Sequence, residues 1–210
     1  MASSDWEDPG GLGAREAARA GGGAAGRDAL GAKGESSEAA AGRATVNVSV
    51  IGASAAEPEL VALGEELGEL LAQRGCTVFC GGMTGVMEAV ARGVRRGGGV
   101  CVGILPTLDR GQAAADLTLS VCTGMGHARN LAVVASGDVV IALGGSWGTL
   151  SELGMARAIG REVVLLESWS VRPAPSEADT VDDGQGEVDG LIVAHSATEA
   201  VGLALSLIGR

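Results

Sequence analysis

From Thr45 onward, short Val-rich runs alternate with stretches of helical pattern, and this alternation leaves few folds open. VNVSVI (46–51), CTVFC (76–80), VCVGIL (100–105), LTLSV (117–121), DVVIAL (138–143) and EVVLLE (162–167) are rich in consecutive apolar residues. That is the pattern of strands covered on both faces. LIV (191–193) adds a seventh candidate. Between them, Ser54-Ala-Ala-Glu57 has capping-box spacing and predicts a helix to about Arg74, with Leu60, Leu63, Leu67, Leu70 and Leu71 on one face. Pro58 is tolerated so near a helix start. Further helices are predicted over 84–96, 127–136 and 149–160, and from Ser196-Ala-Thr-Glu199 to Leu207. Buried strands alternating with helices predict an α/β fold: a doubly wound, mostly parallel, Rossmann-like sheet of six or seven strands in one domain over 44–210.

Two segments fall outside that pattern. Residues 1–43 are Gly, Ala, Ser and charge without an apolar period, and read as a disordered leader. Residues 171–190 (VRPAPSEADTVDDGQGEVDG) carry six acids and one Arg, and read as a flexible acidic loop. Of the net charge of −11, these two segments hold seven units, which leaves 13 acids and 9 bases elsewhere. With no basic stripe, one Phe and no Tyr, no nucleic-acid partner is expected.

No run approaches the length of a membrane span, so no membrane partner is expected either. MASSDWEDPG lacks the basic and apolar regions of a secretory signal. The expected compartment is the cytoplasm; an organellar import segment stays open, though the seven acids of the leader argue against one. Cys76, Cys80, Cys101 and Cys122 lie in or beside apolar runs with no CxxC pair, and read as small buried residues. With only His127 and His195 besides, no metal site is expected. Lys33, the only lysine, lies in the leader, so a lysine Schiff base in the core is excluded and no pyridoxal phosphate is expected.

In a sheet of this kind ligands bind at the carboxyl ends of the strands. Two loops there read GGxxG: Gly81-Gly82-Met83-Thr84-Gly85 and Gly144-Gly145-Ser146-Trp147-Gly148, followed by Glu88 and Glu152. Glycines let backbone approach a ligand, and the helix start behind them supplies free N–H donors and a positive dipole end. Gly82, Gly85, Gly144, Gly145, Ser146, Gly148 and Thr149 are therefore the candidate phosphate-binding residues, Thr149 through its hydroxyl. The alternative is that such glycines only make tight connections. Neither GxGxxG after the first strand nor GxxxxGK[ST] is present.

A third loop, TGMGHARN (123–130), puts Arg129 in the first turn of a helix, where the dipole disfavours a cation. A ligand phosphate or a carboxylate such as Glu152 would offset that. Arg129 and Glu152, opening two helices on one rim, are the candidate catalytic pair: a carboxylate there can stabilise an oxocarbenium-like sugar or activate water. Ser54, Met87, His127 and Asn130 are candidate ligand contacts, His127 equally a helix-start residue with a backbone contact.

These motifs resemble those of the Lonely Guy proteins. GGSWGTLSE fits their PGGxGTxxE motif with Leu143 in place of Pro, GHARN stands where they have MHxRK, and GGMTGVMEAVARG is similar to their Gly-rich second loop. The similarity covers about 46–167. It implies a Rossmann-like, usually dimeric protein that hydrolyses cytokinin riboside 5′-monophosphates to free base and ribose 5-phosphate. Arg129 and Glu152 match the family's catalytic Arg and Glu, and Gly144, Gly145, Gly148 and Thr149 its phosphate-binding residues. Asn130 stands where that family has Lys, and Gly126 where it has Met. In this TGMGHARN is similar to a sister group that includes the molybdenum cofactor carrier proteins, which bind a phosphate-bearing pterin without hydrolysing it. Two functions are therefore expected: a phosphoribohydrolase acting on nucleoside 5′-monophosphates, or a non-catalytic carrier of molybdenum cofactor. Either needs no further cofactor and implies a phosphorylated small-molecule ligand and a homodimer or higher homo-oligomer. The label "lysine decarboxylase" attached to such proteins is disfavoured by the missing core lysine.

Overall fold

The structure, a computed structural model, describes residues 45–171 and 190–208; the predicted leader and nearly all of the predicted acidic loop lie outside the described residues. Seven strands form one sheet: β1 (Asn47–Gly52), β2 (Thr77–Cys80), β3 (Val100–Leu105), β4 (Leu119–Cys122), β5 (Val139–Leu143), β6 (Val163–Leu166) and β7 (Leu191–Ala194). The order is β4-β3-β2-β1-β5-β6-β7, and every neighbouring pair is parallel. Every residue of β5 and β6 is buried, as their uninterrupted apolar runs require, while the edge strand β4 alternates between exposed and half-buried.

Helices α1 (Pro58–Gln73), α2 (Val86–Arg96) and α5 (Ala197–Ile208) cover one face, and α3 (Asn130–Ser136) and α4 (Trp147–Ala158) the other. The first face buries Val48, Val50, Val78, Leu67, Leu71 and Val90 in one cluster; the second buries Ile51, Val133, Val140, Leu153 and Leu165. Ser49, fully buried, donates its hydroxyl to Val133 O at 2.6 Å and ties β1 to α3. None of the described helices is long and apolar enough to cross a membrane. Cys76, Cys80 and Cys101 are buried, and Cys122 is half-buried.

The helix starts differ from the sequence expectation. The Ser54–Glu57 capping box does not form: Glu57 is extended (φ −70°, ψ 159°), its side chain caps nothing, and Pro58 fixes the first turn. Helix α2 begins at Val86 because Gly85, at φ +69°, turns the chain into it from a left-handed conformation. Residues 126–129 form a 3-10 turn ahead of α3. Helix α4 starts two residues early, with Ser146 as its N-cap.

Candidate functional site

Strand order reverses at β1, which has β2 on one side and β5 on the other, so the loops leaving β1 and β5 diverge and open a crevice. A cavity of about 360 Å³ lies there, lined in part by Gly52, Pro106 and Gly126. Its chemistry comes from Arg129 and Glu152, each only 7% exposed. Arg129 ends the 3-10 turn, and Glu152 points inward from the second turn of α4. Nη1 of Arg129 is 3.9 Å from Oε1 of Glu152, close enough for charge attraction but too long for a hydrogen bond. The Arg129 Nε and Nη1 groups are buried and meet no acceptor. Buried guanidinium donors without partners are costly, and an acceptor from outside would satisfy this pair.

Burial pushes the Glu152 carboxyl up to about 7, with Arg129 pulling the other way. Burial likewise lowers the Arg129 value, against the raising effect of Glu152. The folded Glu152 thus keeps a proton that the unfolded chain, with its ordinary value of 4.5, releases earlier. Stability is therefore expected to fall as pH rises from about 4.5 to about 7 and to level off above, by on the order of 3 kcal/mol from this group. Urea midpoints of wild type and Glu152→Gln measured at pH values across that window test this. The substitution should flatten the wild-type slope, and equal slopes would contradict it.

Ser146, Gly148 and Thr149 line the cavity at the start of α4. The Thr149 hydroxyl, 1% exposed, accepts from the Ser146 N–H at 3.3 Å. Its own proton meets no acceptor among the described residues and is free for a ligand. The remaining predicted glycines lie outside the lining. Gly144 packs on Leu60 and Gly145 on the Trp169 indole, Gly82 lies against Gly103, and Gly85 against the backbone of Ala53 and Ser54. These neighbours take up the room that their absent side chains leave.

Ser54, Met87, His127 and Asn130 all reach the cavity. Asn130 is 7% exposed, and its carboxamide bonds to none of the described residues. Sequence reasoning left out Met83 and Thr84 as contacts, though both line the cavity; the Thr84 hydroxyl donates to Ser54 O at 3.0 Å and joins the first two loops. It also missed the part played by Gly81. A Cβ there would stand 2.6 Å from Arg129 Nη1 and 2.5 Å from Met87 Sδ, so the guanidinium rests on bare backbone. The double glycine of the first loop was the available signal.

A larger groove of about 740 Å³ opens on the other side of Gly145, along α1. Its Glu57, Glu59 and Glu66 are exposed, and it has no buried polar group awaiting a partner. Size alone would favour it, but the unpaired Arg129 donors are in the smaller cavity.

The SLOG cluster4 family matches residues 45–201 of the chain. An uncharacterized protein of Archaeoglobus fulgidus is 39% identical over 140 residues, 63% of this chain and 91% of that protein. A probable cytokinin riboside 5′-monophosphate phosphoribohydrolase of Oryza sativa subsp. japonica is 37% identical over 91 residues, 42% of this chain and 40% of that protein. Among solved structures, the molybdenum cofactor binding protein of the phototrophic bacterium Rippkaea orientalis aligns with a TM-score of 0.68 at 28% identity, covering 80% of this chain and 99% of that one.

Proposed function

From the membership of this chain in the SLOG cluster4 family, we propose that its smaller cavity binds a nucleoside 5′-monophosphate and hydrolyses the N-glycosidic bond. The supporting observation is the open Arg129–Glu152 pair, 3.9 Å apart, with two guanidinium donors unused. In this reading the 5′-phosphate lies at the start of α4, held by the free N–H groups of the helix end and by the Thr149 hydroxyl. Arg129 orients the ligand. Glu152, held near pH 7 by burial, takes a proton from the attacking water as the water oxygen bonds to C1′. The bond from C1′ to the base nitrogen breaks, the proton ends on the base, and ribose 5-phosphate and free base leave. A cavity of about 360 Å³ is at the small end for ligand sites and suits one mononucleotide.

The test is release of free base and ribose 5-phosphate from AMP and from isopentenyl-AMP by the wild-type chain. Base release supports hydrolysis, and an intact, silent protein contradicts it. Thr149→Val is expected to weaken AMP binding by ~1.5–3 kcal/mol, one hydrogen bond to a charged group. Calorimetric titration measures this; equal affinity would place the phosphate elsewhere.

A second reading, carriage of molybdenum cofactor without hydrolysis, has its own support. Asn130 replaces the lysine of the hydrolase motif, and the alignment with the Rippkaea orientalis protein spans 99% of that chain. The same phosphate cradle would serve, with the Asn130 carboxamide free to bond the edge of a pterin. Binding of molybdenum cofactor by a protein silent towards both nucleotides would favour this reading.

A further inference from the structure

Gly81 follows β2 directly, and its backbone makes no demand for glycine. The other two glycines of this loop, Gly82 at φ +72° and Gly85 at φ +69°, are in the left-handed region, where a side chain is strained. Gly81 is outside that region, so any residue could take its conformation. What a side chain would meet there is other side chains. An added Cβ would stand 2.5 Å from Met87 Sδ, 2.6 Å from Arg129 Nη1 and 2.8 Å from Arg129 Nη2. Both terminal nitrogens of the guanidinium thus rest over the Gly81 backbone, and Met87, from α2, completes the same seat.

The seat sets where the charge lies. Arg129 Nη1 stops 3.9 Å from Glu152 Oε1, about 1 Å short of a hydrogen bond. Its Nε and Nη1 are buried with no acceptor. Buried donors of this kind gain by closing on a carboxylate, and Glu152 is the one carboxylate that lines the cavity. The contact with Gly81 holds the guanidinium back from it. Two other titratable groups face the pair: His127, exposed on the cavity wall, and the buried Cys80 thiol at the end of β2. Neither takes a bond from Arg129 Nε or Nη1.

We infer that Gly81 is a positioning residue: its missing side chain lets Arg129 lie back from Glu152, so that the pair stays open for a ligand. An alanine puts a Cβ where the guanidinium rests. The three atoms nearest to that Cβ all belong to the ends of flexible side chains, so the fold can take the alanine while Arg129 must move. The displaced guanidinium closes on Glu152, the acceptor within reach. Closure favours the ionised carboxylate, which lowers the pH at which Glu152 titrates. It also occupies the donors that a ligand would use. The inference rests on the reading of Arg129 and Glu152 as the working pair of the cavity, but not on hydrolysis of what binds there.

The test reads the Glu152 carboxyl itself, by carbon NMR on the full chain labelled at the glutamate carboxyls, with no nucleotide present. The Glu152 signal is the one that Glu152→Gln removes. Its midpoint in wild type is expected at about 7. Gly81→Ala should titrate lower, by about half a pH unit for an ångström of approach. It should also bind AMP roughly 10-fold more weakly, the share of one hydrogen bond to a charged group. In an Arg129→Gln background no guanidinium lies over Gly81, and there Gly81→Ala should leave the midpoint in place. Should Gly81→Ala misfold, Gly81→Ala with Met87→Ala relieves the contact with sulfur and carries the same titration. An unshifted or raised midpoint in the folded variant, or an equal fall in the Arg129→Gln background, would overturn the inference. Failure to release base from AMP counts against hydrolysis alone, because the titration needs no turnover.

Discussion

Glu152→Gln is expected to bind AMP as tightly as wild type, or more tightly above pH 7, while base release falls by roughly 10²–10⁴-fold, the span of general acid–base catalysis. Gln keeps the size of the side chain in a position only 7% exposed, so the cavity keeps its shape. It cannot take a proton from water. It also carries no negative charge to repel the ligand phosphate, whereas wild-type Glu152 ionises near 7. For the same reason the wild-type rate should rise with pH through about 7 as the carboxylate forms. Parallel titration and product assays separate the two effects. Undiminished turnover would remove Glu152 from the chemistry, and lost binding with lost turnover would make it a structural residue.

Gly93→Ala is expected to destabilise the fold by on the order of 3 kcal/mol or more, against what helix propensity alone predicts. In an isolated helix the same change favours Ala by about 1 kcal/mol. Here a Cβ on Gly93 would run into the carbonyl oxygen of Glu65, and one on Gly68 into that of Val90. Backbone meets backbone between α1 and α2, so no rotamer change relieves the clash. The helices would have to separate, and that loosens Leu67, Leu71, Val90 and Val94 in the main core cluster. Urea unfolding reads the outcome directly. A stabilised Gly93→Ala would mean that the helices part without loss.

The sheet was legible because its strands are buried on both faces, so each appears as an unbroken apolar run that needs no knowledge of its neighbours. Helix ends were less legible. Ser54 and Glu57 have the spacing of a capping box, but Pro58 sets the helix start and leaves Ser54 free at the cavity. Arg129 stood out in the sequence because a cation at a helix start violates a local rule, and the structure places it beside Glu152 in the cavity. The glycines of GGSWGT were harder. Whether Gly144 and Gly145 face a ligand or make room for Leu60 and Trp169 depends on residues distant in the chain, which no local pattern encodes. Gly81 is the same case reversed: its importance is the guanidinium lying on it from another loop.

Occupancy of the smaller cavity by a phosphorylated nucleotide can be read from an amide chemical-shift map during titration with AMP. Saturable changes are expected at Ser146, Gly148, Thr149 and Asn130, with the Arg129 side chain joining them. Changes confined to Leu60, Leu63 and Glu66 in the larger groove, or no saturable change at all, would contradict it.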